Sequence, residues 1–230
     1  MVAPMIRIGP YAFSVQDVDR TLRNYPDVWE LYRAGRETGS IDPLKATLIG
    51  DQDEDLRRVW ESMLAAGPAL RAAGQLPARV EGLVTSVNAS AGGVPKHPVD
   101  ALEVGYSGAA GDHQRSKKHH GSPWQALCIW SDESIAELNA RGHALFPGAA
   151  GENVTVAGLP WDEVRAGVRL QLGTTLCEVS AFALPCRHNA RWFVGGDFRA
   201  MHHDRGPSRV YATVLTPGRV VAGDQAILEP

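Results

Sequence analysis

Apolar positions recur at helical spacing through the first third of the chain, then switch to short alternating or continuous runs. Val15, Val18 and Leu22 share one helical face, and Leu56, Trp60, Met63 and Leu64 share another. Ser14 is followed three residues on by Asp17, an approximation to a capping box. Asp51, Asp53, Glu54 and Asp55 crowd the front of the second run, where carboxylates meet the positive end of a helix dipole. Pro68 ends or kinks that helix, and the alanine-rich turn to Ala73 closes at Gly74. These signals predict an N-terminal helical region over residues 1–78. After it, residues 79–87, with Val80, Leu83, Val84 and Val87 apolar, read as a strand. So do the continuous apolar run 126–130, the alternating 168–172, and the runs 175–179 and 209–215. One helix interrupts them at 131–141, with a serine cap, an acidic first turn and Ile135 and Leu138 on one face. The expectation is a mainly β domain over residues 79–230, a barrel or sandwich with a few helices, preceded by the helical addition.

Composition changes this picture little. Of 230 residues, 44% are apolar and 21% charged, which excludes a disordered, collagen-like or coiled-coil chain. A formal net charge of -3 gives no general drive toward nucleic acid or an anionic membrane, and neither is expected as a partner. Cys128, Cys177 and Cys186 cannot all pair within one chain and lack the spacing of a disulfide framework, which predicts a reducing compartment. No signal-peptide pattern opens the sequence, and no apolar run approaches about 18 residues, so a cytoplasmic protein is expected.

Four segments carry candidate chemistry. Residues 111–121 hold Asp112, His113, Gln114, Arg115, Lys117, Lys118, His119 and His120, a set suited to a phosphate or another anion, or simply to a solvated loop. Residues 147–159 place Glu152 and Asn153 among Gly148, Gly151 and Gly158, which allow tight turns and positive φ before an edge strand. Cys186 follows Pro185 and precedes Arg187 and His188; a thiol beside cationic groups ionises more readily, and the thiolate is both nucleophile and soft-metal ligand. Cys128 and Cys177 sit inside apolar runs and are expected to pack as small hydrophobes. His202, His203 and Asp204 offer metal-ligating or acid–base groups, or a polar loop between strands. No phosphate-binding GxxxxGK[ST] loop, CxxC pair, HExxH order or GxSxG elbow is present.

The order of these pieces resembles the MOSC domain family, named for the C-terminal domain of molybdenum cofactor sulfurase. VTSVNASAGGVPK, GDHQRSKKHHGSPWQALCIWSDE, PGAAGENVTVAGL and VRAGVRLQLGTTLCEVSAFALPC follow one another over about residues 79–227. The resemblance implies a β-barrel that binds a pyranopterin molybdenum cofactor, with Cys186 as the thiolate ligand to the metal. It places Lys96, Asp112, Gln114, Arg115, His120 and Arg187 as anchors of the cofactor, and Glu152 and Asn153 along the same pocket. It further implies reduction of N-hydroxylated small molecules, with His120 or His188 supplying a proton. The chain has no iron–sulfur cysteine cluster and no dinucleotide fingerprint, so electrons must come from a partner flavin or iron–sulfur protein. Family members commonly carry Gly-Gly-Pro-Asp where this sequence has Gly121, Ser122, Pro123 and Trp124, a change that alters pocket polarity and substrate.

Two other readings use the same residues. In one, the fold holds a zinc or iron ion directly through His120, Cys186, His202 and His203, since imidazole and thiolate suit either metal. In the other, Cys186 carries sulfur or cofactor to another protein without turnover. Residues 1–78 then serve as a homodimer contact, a lid, a docking site for the electron donor, or simple packing on the barrel.

Overall fold

The computed structural model describes residues 5–8, 11–14, 70–114, 125–206 and 208–229. The helices expected at 14–69 lie outside them, as do Arg115, Lys117, Lys118, His119 and His120. One difference falls inside the region expected to be helical. Strands β1 (Met5–Ile8) and β2 (Tyr11–Ser14) pair as an antiparallel hairpin. Their β-branched and aromatic residues flank Gly9-Pro10, a turn signal that helical periodicity further on obscures. Residues 70–72 are helical, and Gly74 follows them with φ 62°, the left-handed conformation that ends helices and favours glycine.

From Val80 the chain builds a mainly β structure. Strand β3 (Val80–Ala89) pairs with the short β4 (His97–Pro98) at its far end. Strands β5 (Leu102–Gly105) and β6 (Gly108–Ala109) form a small side sheet. Then come β7 (Leu127–Ser131), helix α1 (Asp132–Ala140) and β8 (Val154–Ala157). Next are β9 (Arg169–Leu172), β10 (Thr175–Phe182) and β11 (Val210–Thr216). Strand β12 (Gly218–Val220) joins the side sheet beside β5, and β13 (Gln225–Glu229) ends the fold. The main sheet runs β13-β9-β10-β11-β7-β8-β3, and β13 also pairs with β3, so seven strands close a barrel. Only the β7–β8 pair among these is parallel, joined by α1.

Side-chain alternation explains both the barrel and what lies outside it. Leu127 and Ile129 of β7, Val154 and Val156 of β8, Leu170 and Leu172 of β9, and Val210, Ala212 and Val214 of β11 fill the interior. The opposite face of β7 is also covered. Trp130 packs with Ile135 and Leu138 of α1 in a second core, which is why β7 reads as a continuous apolar run. The Ser131 hydroxyl caps α1, accepting from the Ser134 amide at 3.2 Å. No helix among the described residues is long and apolar enough to cross a membrane.

Candidate functional site

Outside the barrel wall, Cys128 of β7 pairs in register with Tyr211 of β11, so the two share an outward face. Arg209, two residues before Tyr211, continues that face by alternation. The connection between β10 and β11, residues 183–209, folds over this face as a series of 3-10 turns and carries Cys186 and His188. A cleft of about 350 Å³ lies between them, lined by Lys96, Asn153, Asn189 and Arg191 as well.

Three segments are fastened together beneath the cleft. Lys96 Nζ lies 2.6 Å from Asp112 Oδ2, with both side chains buried. Asn153 Nδ2 donates to the same oxygen at 3.0 Å, and the Ser90 amide donates to Asp112 Oδ1 at 3.0 Å. Asn153 Oδ1 accepts from the Cys128 amide at 3.2 Å, tying the network to β7. Arg209 does the same for the other side. Its Nη1 donates to the Ala150 carbonyl and its Nη2 to the Leu184 carbonyl at 3.3 Å, so one guanidinium joins the 148–153 turn to the segment leading into Cys186. Cys186 itself is half-buried and extended at φ -108°, and its carbonyl accepts from the Asn189 amide at 3.0 Å.

The walls hold polar groups that the described residues leave unanswered. Gln125 Oε1, Asn189 Oδ1 and Arg209 Nε are buried, line the cleft and have no partner among the described residues. Each such group costs about 1–3 kcal/mol unless something bonds it. The lining cations are Lys96, Arg191 and Arg209, and no Asp or Glu lines the cleft among the described residues. This donor set, a thiol beside Arg191 and Arg209 with Lys96 held by Asp112, fits an anionic group with a soft metal centre.

The expected site residues separate into groups. Lys96, Gln114, Asn153, Cys186 and His188 line the cleft. Asp112 does not line it but holds Lys96 and Asn153, which do. Glu152 is fully buried, and its Oε1 accepts the Gly148 amide at 2.7 Å; it secures the turn rather than facing the cleft. Burial pushes the Glu152 carboxyl up, against the pull of its own and the Gly148 amides and of Arg209 and Lys96. Arg187 is exposed and does not line the cleft. His120 and Arg115 lie outside the described residues, in a stretch that departs from Gln114 and returns at Gln125, both on the wall. His202 and His203 gather with Asp204 into a group that does not include Cys186 and does not line the cleft; His120, the remaining member of the expected joint site, lies outside the described residues.

Several wall residues were not signalled by the sequence. Cys128, expected to be a packing residue, lines the cleft; burial raises its thiol, with the Arg209 charge opposing. Cys177 does pack in the core, its thiol pushed up to about 12 by burial and by Glu178. Arg209 opens a strand-like run, and only its charge beside apolar neighbours hinted at a buried role.

The fold is thus a closed barrel with a thiol-bearing cleft against its outer wall. Residues 116–226 match the MOSC domain. The uncharacterized protein YflK of Bacillus subtilis (strain 168) is 31% identical over 135 residues, 57% of this chain and 60% of its own length. Protein YiiM of Escherichia coli (strain K12) is 30% identical over 119 residues, 50% of this chain and 53% of its own length. The match thus spans little more than half the length of these curated relatives. The crystal structure of the YuaD protein from Bacillus subtilis superposes with a TM-score of 0.56 at 18% identity, a likeness of fold. That match covers 66% of this chain and 97% of that one.

Proposed function

We propose that the cleft holds a pyranopterin molybdenum cofactor through Cys186, and that the loaded protein reduces N-hydroxylated small molecules. The observation that carries this reading is the half-buried Cys186 thiol on a cleft with three lining cations and no lining carboxylate among the described residues. A thiolate is a soft ligand, and Arg191 and Arg209 suit the phosphate of such a cofactor. Gln125 and Asn189, on the lining, carry amide side chains suited to a hydrogen-bonding ring system. When bound, the cofactor would supply two-electron redox chemistry. Converting N–OH to N–H and water consumes two electrons and two protons, with the electrons delivered by a partner flavin or iron–sulfur protein. His188, exposed and on the lining, is the histidine this reading assigns to proton supply.

Expression of the full chain in a host that makes the cofactor tests this. Molybdenum and pterin fluorescence are expected in stoichiometric amount, with turnover of an N-hydroxylated substrate when a reducing partner is present. Cys186→Ser should lose the metal while keeping the fold. Cofactor retained in full by that variant would sink the assignment. Stoichiometric zinc or iron without pterin, lost on Cys186→Ser, would instead put a bare ion on the thiol. Stable cofactor without turnover, but with handover to a molybdoenzyme, would make the protein a carrier.

A further inference from the structure

The connection between β10 and β11 carries a second cluster that the cleft does not use. Asp204 stands between two imidazoles: its Oδ2 is 3.3 Å from His202 Nδ1, and its Oδ1 is 3.3 Å from His203 Nε2. One ligand atom from each residue lies within 4.8 Å of the others. Tetrahedral zinc with bonds of about 2.0–2.1 Å needs its ligand atoms roughly 3.3 Å apart, so these side chains, whose two 3.3 Å contacts run to different Asp204 oxygens, would draw together around an ion. We propose that His202, His203 and Asp204 form a site for a divalent transition-metal ion, zinc by its donor chemistry, distinct from the Cys186 cleft.

His203 stacks on Phe182 with centroids 5.0 Å apart and planes 6° from parallel, and on its other neighbour His202 at 4.2 Å. Imidazole donates to a metal in its ring plane, so binding one ion would turn the two histidine rings until their nitrogens converge. Two imidazoles and a carboxylate favour zinc over calcium or magnesium, which prefer all-oxygen shells. Asp204 is 75% exposed, so a fourth position is open to water. His202 Nδ1 also accepts from the Asp204 amide at 3.2 Å, and the ion would replace that contact. None of the three residues lines the cleft.

Position gives the site a purpose. Phe182 ends β10 and pairs with Val210 of β11, so the cluster sits at the neck of the connection that presents Cys186. All three ligands come from consecutive residues, so an ion there fixes the local turn His203–Arg205, which the Asp197–Arg205 pair at 2.9 Å braces from outside. This inference does not rest on the cofactor reading.

The test uses full-length Cys186→Ser, stripped with a chelator and titrated with zinc against a chromophoric competitor. One zinc per chain is expected. Either His203→Ala or Asp204→Ala added to that background should weaken binding by about tenfold or more. Because His203 is stacked, Asp204→Ala, an exposed position, guards against a folding artefact, and the metal-free thermal transitions should match. In the wild-type chain, the first equivalent of cobalt(II) should give tetrahedral d–d absorption without a thiolate-to-cobalt charge-transfer band. No stoichiometric zinc in Cys186→Ser, unchanged affinity in both added variants, or a thiolate band at the first equivalent would each overturn the proposal. Pterin content of the Asp204→Ala chain reports separately on Cys186, so the two readings fail independently.

Discussion

Glu152 is a fully buried carboxyl with one oxygen on the Gly148 amide and the other without a partner among the described residues. Gly148 needs its φ of 88° here, because a Cβ at that position would lie 2.4 Å from the Lys96 carbonyl. The turn is thus shaped by the glycine and secured by the carboxyl. Burial raises the folded-state pKa of Glu152 above its unfolded value, so its contribution to stability is full below the unfolded pKa. That contribution is lost as pH rises from the ordinary carboxylate range through the raised value. Glu152→Gln keeps an acceptor for Gly148 and removes the charge. Urea denaturation across this range should show wild type gaining stability over the variant as pH falls, and losing that advantage toward neutrality. A constant difference between the two would refute the burial argument. At this scale the sequence was legible where chemistry is local. Cys186 stands out because Pro185, Arg187 and His188 surround it. Cys128 and Arg209 did not stand out, because their roles arise from facing outward on neighbouring strands, a relation fixed by register alone.

Elements meet at Lys96, Asp112 and Asn153, which come from three segments far apart in sequence. Lys96→Met would leave Asp112 buried with only the Ser90 amide and the Asn153 amide group as partners among the described residues. Removing one member of a buried pair typically costs about 3–5 kcal/mol, whereas replacing both is often close to neutral. Denaturant unfolding should therefore show a large loss for Lys96→Met, much of it recovered in Lys96→Met/Asp112→Asn. An additive double variant would mean that the two groups act separately. Elements with their own periodicity were readable: the Ser131 cap and the β7, β9 and β11 strands lie within a residue or so of expectation. Strands β4 and β6, two residues each, have no period to read, and their pairing is decided by partners. The 3-10 turns of residues 187–205 are likewise invisible, since three-residue turns leave no repeating apolar face.

The molecule as a whole depends on its last strand. β13 pairs with β3 on one side and β9 on the other, and it is the element that converts an open six-strand sheet into a seven-strand barrel. Ala226, Ile227 and Leu228 are buried as it does so. Barrel closure joins the first and last strands of the domain, so the contacts that close it are also among the most distant in sequence. Deleting residues 225–230 would expose two unpaired strand edges, on β3 and β9, together with the interior between them. The physical expectation is loss of cooperative unfolding and self-association, not a modest fall in stability. Leu228→Ala in the full chain is the graded comparison. It leaves both ladders intact, and the cavity should cost about 2–5 kcal/mol while cooperativity survives. Thermal unfolding followed by near-ultraviolet circular dichroism, with light scattering on the same samples, separates the two outcomes. A truncated chain that still melts in one sharp transition as a monomer would show that six strands suffice, and that closure by β13 is not what holds the cleft-bearing wall in place.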